Sequence, residues 1–196
     1  MSYCMVIDLK RCVGCHACST TCKAENGTPP GNTRAKVMKK EIGKYPDVRR
    51  VSIPMLCMHC EDAACVTVCP TGATERREDG IVSLDKEKCI GCRACITACP
   101  YGARYFRNSE LGYFGKELTP YEEVKYQNKP KGVVDKCDFC LESRLTQGLE
   151  PACVQSCITK ARIFGKKEEV QELILQRKGY QLRPDLGTNP SVYYLP

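Results

Sequence analysis

The apolar positions of this chain come in short runs, each followed closely by polar or turn-forming residues. Met5, Val6 and Ile7 form one run closed by Asp8, the pattern of a short buried strand. Ile81, Val82 and Leu84, closed by Asp85, repeat it. Val51 and Ile53 flank Ser52 in a third candidate strand. Thr71-Gly72-Ala73 and Tyr101-Gly102-Ala103 read as matching turns that each open a strand, and residues 76–80 as the polar connection between them. In 166–178, Val170, Leu173 and Ile174 recur at helical spacing and Gly179 offers a stop, predicting one short amphipathic helix. Residues 25–50, with Gly27, Pro29, Pro30, Gly31, Gly43 and Pro46, read as a loop plus a possible hairpin. Residues 105–135 read as a surface insertion fit either for an interface or for idle surface. Residues 182–194 read as an extended arm that lies on a partner or wraps its own domain. No apolar window approaches the roughly 18–20 residues that span a bilayer. The first residues enter strand-like sequence at once, without signal-peptide architecture.

These elements frame a repeated cysteine pattern. The strand ending at Asp8 leads into Cys12, Cys15, Cys18 and Cys22, and the one ending at Asp85 leads into Cys89, Cys92, Cys95 and Cys99. Both groups read C-x2-C-x2-C-x3-C, with Val13-Gly14 and Ile90-Gly91 in the same gap. A further group, Cys57, Cys60, Cys65 and Cys69, carries two extra residues before its third cysteine. The last, Cys137, Cys140, Cys153 and Cys157, is stretched by twelve residues in its middle. Ala73, Ala103 and Ala161 each follow a group's last cysteine by four residues. The repeat therefore has four copies.

Sixteen of the 17 cysteines belong to this pattern, and Cys4 stands apart as a small buried hydrophobe. A secreted disulfide framework would not show this clustering. The run C-x2-C-x2-C-x3-C-P is that of bacterial two-cluster ferredoxins, in which the fourth cysteine ligates the other cluster. The second and third groups end in Cys69-Pro70 and Cys99-Pro100 and so belong together. The first and fourth, where Lys23 and Ile158 replace that proline, pair by elimination. Exchange of last cysteines gives four sets of thiolates: Cys12, Cys15, Cys18 with Cys157; Cys57, Cys60, Cys65 with Cys99; Cys69 with Cys89, Cys92, Cys95; and Cys22 with Cys137, Cys140, Cys153. Four [4Fe–4S] clusters are the expected cofactors. His16 and His59 lie inside cysteine loops whose sets are already complete, and read as hydrogen bonders to ligands or plain loop residues.

The expected fold is α+β: tandem dicluster ferredoxin-like modules in pseudo-twofold relation, with short strands and helices around the clusters and long loop insertions. Residues 1–24 with 136–165 form a split outer module and 51–106 an inner one. Residues 25–50 and 107–135 are insertions, and 166–196 a C-terminal helix and arm. The formal charge of +7 and the C-x2-C pairs raise a zinc-stabilised nucleic-acid module as a rival. However, a [4Fe–4S] core with four thiolates carries about −2, so four leave the chain nearly neutral. Arg11, Lys23, Lys88, Arg93 and Lys136 beside ligand cysteines then read as compensation, though each singly is compatible with ordinary surface charge. Closely spaced quartets with x3 endings also depart from the paired spacing of zinc sites.

The segments Ile53-Pro54-Met55-Leu56-Cys57, Val68-Cys69-Pro70-Thr71-Gly72-Ala73 and Cys99-Pro100-Tyr101-Gly102-Ala103, with the 184–194 tail, resemble the electron-transfer (beta) subunits of the molybdopterin oxidoreductases, the dimethyl sulfoxide reductase family. The resemblance is nearest to the polysulfide, tetrathionate and arsenate reductase branch and covers essentially the whole chain. It implies the same pairing of groups and, as partner, a large molybdopterin catalytic subunit. It also implies that the cluster of the first group with Cys157 lies near that subunit. The cluster of Cys22, Cys137, Cys140 and Cys153 is then placed at the far end, towards a quinone-reactive membrane subunit. Some relatives carry a C-terminal membrane helix that is missing here, so membrane contact would need a third subunit. By analogy with this branch the complex is expected at the extracytoplasmic face through co-export with a partner, with a cytoplasmic place left open. The sequence carries no nucleophile–base motif, Walker loop or dinucleotide fingerprint. The function implied is relay of single electrons in anaerobic respiration, without an active site of its own. A free-standing soluble polyferredoxin is the alternative.

Overall fold

The computed structural model describes residues 2–127 and 130–196. The order is β1 (Tyr3–Asp8), α1 (Ala17–Asn26), β2 (Lys36–Lys44), β3 (Asp47–Met55), α2 (Ala64–Thr67), β4 (Thr74–Arg76), β5 (Val82–Leu84), α3 (Ala94–Thr97), β6 (Arg104–Arg107), α4 (Pro120–Tyr126), β7 (Val133–Lys136), α5 (Ala152–Gln155), β8 (Arg162–Lys166), α6 (Lys167–Gln176) and β9 (Val192–Leu195). This is the α+β mixture expected, with small sheets and short helices. The strands form one three-stranded sheet, ordered β8-β1-β9, and three separate pairs, β2-β3, β4-β5 and β6-β7.

The three-stranded sheet carries the densest core. Cys4 to Ile7 on β1 are buried, as the apolar run demands, and Val192, Tyr194 and Leu195 on β9 are fully enclosed beside them. β1 pairs antiparallel with β8 and parallel with β9. Val170 and Ile174 turn α6 onto the same core with Cys4, Val6 and Leu195, the amphipathic helix expected. Cys4 is a buried core residue.

The C-terminal arm is bound into its own chain rather than reaching away from it. The Ser191 N–H donates to Met58 O at 2.8 Å, and the Glu61 N–H to Asn189 O at 2.9 Å. Asn189 Nδ2 donates to Asp62 at 2.7 Å. Tyr101 Oη and Thr188 Oγ1 lie 2.7 Å apart. Residues 188–195 thus hold the second cysteine group with one end and complete the main sheet with the other.

β2 and β3 form a nine-pair exposed ribbon whose turn contains the cis Tyr45–Pro46 peptide. Within the 105–135 insertion, α4 opens on a capping box in which Thr119 and Glu122 satisfy each other's backbone N–H groups. Tyr121 Oη and Lys125 Nζ donate to carbonyls at the end of α1. Part of the insertion is therefore docked on the body.

Candidate iron–sulfur sites

Every cysteine group builds its site the same way. Each short helix begins on the alanine that precedes a third cysteine: Ala17, Ala64, Ala94 and Ala152. Third and fourth cysteines are four residues apart, and α2, α3 and α5 each end two residues before the fourth. Pro70 and Pro100, which lack an N–H and disfavour helix in the residue before them, bar α2 and α3 from continuing, and α5 stops at the same offset with Ile158 in that place. Lys23 has no such effect, and α1 runs on to Asn26, where left-handed Gly27 stops it. Between first and second cysteines, Gly14 and Gly91 adopt positive φ in tight spots. A Cβ on Gly91 would meet Gly132 O at 2.0 Å, and one on Gly14 would meet Ser52 Oγ at 2.4 Å.

All 17 cysteines are free thiols, and the charges acting on several of them show which sulfurs lie close by. Burial pushes the Cys60 thiol up to about 12, and Cys57, Cys65 and Cys99 all add to the rise. Burial raises Cys95 against the opposing charge of Arg104, with Cys89 and Cys69 adding. A cavity is lined by Cys69, Cys89, Cys92 and Cys95 together. Burial pushes Cys22 up to about 12 as well, helped by Cys153 and Cys140 and opposed by Arg34 and Arg162. Cys137, wholly buried, is held well above the ordinary range by burial and then by Cys22. Burial raises Cys12, with Cys18 and Cys157 acting on it. Cys15 and Cys92 are exposed.

Two last cysteines run the other way. At Cys69 and Cys157 burial is outweighed by hydrogen bonds that favour the thiolate. Cys69 Sγ accepts from the Thr74 N–H at 3.4 Å, with Thr71 Oγ1 at 3.9 Å. Cys157 Sγ accepts from the Ala161 N–H at 3.2 Å, with Thr159 Oγ1 at 3.7 Å. These two group-ending cysteines therefore share a thiolate-favouring environment.

Buried cations stand near the thiols, Lys136 among them. Its ammonium donates to Val82 O and, at 2.6 Å, to Cys137 O. Arg34, missed in the sequence, pairs with Asp135 at 2.7 Å and Asp138 at 3.1 Å. It also donates to Asn26 Oδ1 at 2.7 Å, while Asn26 Nδ2 faces Cys22 Sγ at 3.6 Å and Cys140 Sγ at 3.9 Å. Arg104 and Arg162 reach sulfur directly, at 3.0 Å from Cys65 Sγ and 3.5 Å from Cys153 Sγ. Asn26, Arg34, Arg104 and Arg162 lack a motif. Only the shared offset of the last two, five residues after Cys99 and Cys157, offered a signal.

His16 and His59 part company. His16 is exposed, in left-handed conformation at the head of α1. His59 is fully buried, and burial with the charges of Lys136 and Arg104 holds it well below its ordinary value, hence neutral. Its Nδ1 accepts from the Val82 N–H at 3.1 Å, so the ring proton is on Nε2, which has no partner among the described residues. The ring stacks on Phe139 at 3.7 Å. His59 and Phe139 occupy the same place in their groups, just before the second cysteine, and both have positive φ.

This stacking corrects one expectation. Cys57 acts on the Cys137 thiol, and Cys22, Cys137, Cys140 and Cys153 are all buried. They lie in the interior against the second group, not at a far end. The reason is the β6-β7 pair, which brings the strand after Cys99 against the strand before Cys137. The outward-facing cysteine loops are those of Val13, 65% exposed, and Ile90, 67% exposed.

The donor set fits [4Fe–4S] groups. Thiols from the four groups lie close enough to act on one another, with N–H donors and buried cations nearby to offset negative charge. A zinc ion with thiolates about 2.3 Å away needs close convergence on one point. Among the described residues no three His, Cys, Asp or Glu side chains meet in that way. No helix among them is long and apolar enough to cross a membrane.

Residues 48–116 and 113–167 match the 4Fe–4S dicluster domain family, and residues 9–26 a 4Fe–4S binding domain. The chain is 45% identical to a selenate reductase subunit of Mesobacillus selenatarsenatis, with 97% of this chain and 70% of the relative aligned. It is 39% identical to ArrB, the iron–sulfur subunit of the arsenate respiratory reductase of a Shewanella species, over 97% and 94% of the two chains. It is likewise 39% identical to a tetrathionate reductase subunit of Salmonella typhimurium, over 98% and 72%.

Proposed function

The chain belongs to the iron–sulfur electron-transfer subunits of the molybdopterin oxidoreductases, and on that premise we propose how its residues divide the work. It does not itself catalyse the reaction but serves as the electron-transfer component of an oxidoreductase complex with a catalytic partner. Because the relatives are subunits of reductases, a free-standing polyferredoxin is not favoured. Its cofactors are [4Fe–4S] clusters, and four fit the two dicluster domains. Each cluster, when bound, supplies a one-electron carrier whose potential responds to charge, hydrogen bonds to sulfur and solvent access.

The ligand sets we propose are Cys12, Cys15, Cys18 with Cys157; Cys22 with Cys137, Cys140, Cys153; Cys57, Cys60, Cys65 with Cys99; and Cys69 with Cys89, Cys92, Cys95. They make two modules in pseudo-twofold relation, residues 1–24 with 136–165 and residues 51–106. What supports this reading is that Cys99 acts on Cys60, Cys157 on Cys12, Cys69 on Cys95 and Cys22 on Cys137, as an exchange of last cysteines requires. The stacked His59–Phe139 pair supports a relay that crosses between the modules at the Cys57 and Cys137 loops. The two exposed loops are then the entry and exit ends. The catalytic subunit docks at the Cys15 loop, and a quinone-linked membrane subunit or other carrier at the Cys92 loop. The complex is membrane-associated through partners, on the extracytoplasmic face.

Cys157→Ser and Cys15→Ser, each in the complex purified anaerobically, should remove the same EPR signal, while Cys22→Ser removes a different one. Loss of unlike signals from the first two would break the exchanged pairing.

A further inference from the structure

Three arginines are buried close to the cysteines, and they differ in what neutralises them. Arg34 is paired with two carboxylates. Arg104 and Arg162, 6% and 2% exposed, have no carboxylate partner among the described residues. An unpaired buried cation is strongly unfavourable, so something else at these places must carry negative charge.

The two guanidinium groups are equivalents. Each lies five residues after the last cysteine of its group, on the first residue of the strand that follows, β6 or β8. Arg104 donates from Nη2 to Cys65 Sγ at 3.0 Å and from Nη1 to Thr74 Oγ1 at 3.1 Å, leaving Nε–H without a partner among the described residues. Thr74 follows Cys69, so the side chain reaches from one thiolate set to the turn of the other. Arg162 donates from Nη1 to Cys153 Sγ and approaches Met5 Sδ, both at 3.5 Å, leaving Nε and Nη2 without partners among the described residues. The charges that act on Arg104 are those of Cys65, Cys57 and Cys95, drawn from two different sets. Those acting on Arg162 are Cys153, Cys18 and Cys137, again from two, and then Tyr194. Unused N–H donors enclosed among sulfurs point to an acceptor that belongs between them.

We propose that Arg104 and Arg162 are shared counter-cations, each standing between the two clusters of one module and raising the reduction potential of both. The proposal rests on the ligand sets given above. A guanidinium suits the place because it stays charged when buried, and its planar fork can donate towards two sites at once. A fixed positive charge favours the reduced, more negative form of either cluster. Because one charge serves two clusters, it also moves their potentials together and keeps the step between them small. The residues act through the clusters and are positioning residues.

The test uses the anaerobically purified complex, with iron counted before anything else, and potentials read by EPR-monitored redox titration. Arg104→Gln should lower the reduction equilibrium of two clusters by about tenfold each, roughly 59 mV for a one-electron couple. It should leave the other two in place. Arg162→Gln should move the complementary pair. Arg104→Lys and Arg162→Lys, which keep a charge but lose the fork, should recover part of the shift. With sixteen irons retained, unchanged potentials, an equal shift of all four clusters or no recovery with lysine would overturn the proposal while leaving the ligand sets intact. Wild-type complex with fewer than four clusters would overturn both. If a glutamine variant loses iron, wild-type complex grown on 15N-arginine decides. Pulsed EPR of the reduced clusters should show coupling to guanidino nitrogen, and its absence would overturn the assignment.

Discussion

The half of the molecule built on the first and fourth cysteine groups and the half built on the second and third share one motif but are housed differently. In the first, Cys18, Cys22, Cys137, Cys140 and Cys153 are buried beneath the β8-β1-β9 sheet, with α6 packed on it, while Cys12 and Cys157 are half-buried and Cys15 is exposed. In the second, Cys57 and Cys95 are buried, Cys60, Cys65, Cys69, Cys89 and Cys99 are half-buried and Cys92 is exposed. Its own strands form only the β4-β5 hairpin, with β6 borrowed into a pair with β7. Two-stranded pairs are marginal on their own. The motif therefore fixes the path of the chain around each set of sulfurs, whereas what is packed behind it fixes how much water and stability each half has.

Removal of iron breaks this comparison most strongly. Chelation should abolish amide protection in residues 57–103, whose order depends on the bound groups, while Met5, Val6 and Ile7 keep measurable protection in hydrogen exchange. Equal loss in both halves would contradict the division. Truncation after Gln181 strikes the other half. It removes Val192, Tyr194 and Leu195, each fully buried, at about 1.5–3 kcal/mol apiece, together with the hydrogen bonds that hold the Met58–Asp62 loop. Urea denaturation of the loaded chain should show several kcal/mol of destabilisation, where an arm lying on a partner would show almost none.

The smallest effect compares the same position in the two halves. Gly14 and Gly91 both have positive φ, so alanine at either carries about 1–2 kcal/mol of backbone strain. Gly91→Ala adds a collision with the backbone carbonyl of Gly132, whereas Gly14→Ala meets a Ser52 hydroxyl that can rotate away. Gly91→Ala should therefore be the more damaging by thermal denaturation, and equal melting temperatures would argue against this geometry.

Much of this was legible in the residues. Met5 to Ile7, Ile81 to Leu84 and the Val170-Leu173-Ile174 stripe announced β1, β5 and α6 through local hydrophobic pattern. The cysteine spacing announced the iron–sulfur cofactors. Other features had weak local signals. The alanine before each third cysteine starts a helix of one turn in three of the four groups, too short for periodicity to reveal. The capping box of Thr119 and Glu122 lay inside a stretch read as loop. β9 is set by pairing with β1, a strand so distant in sequence that no window contains the contact. Arg34 meets Asp135 by the same long-range closure. The placement of the Cys22, Cys137, Cys140 and Cys153 set at an end failed because only the β6-β7 pairing brings the Cys137 loop against the Cys57 loop.

The parallel pairing of β1 with β9 also imposes an order in time. A ribosome delivers Tyr3–Asp8 long before Val192–Leu195, so the main sheet stays one strand short until that later segment has been made. Residues 51–106 can gather their cysteines while the remainder is still being synthesised. Assembly of the chain is thus staggered, with the best-covered half necessarily finished after the more open one.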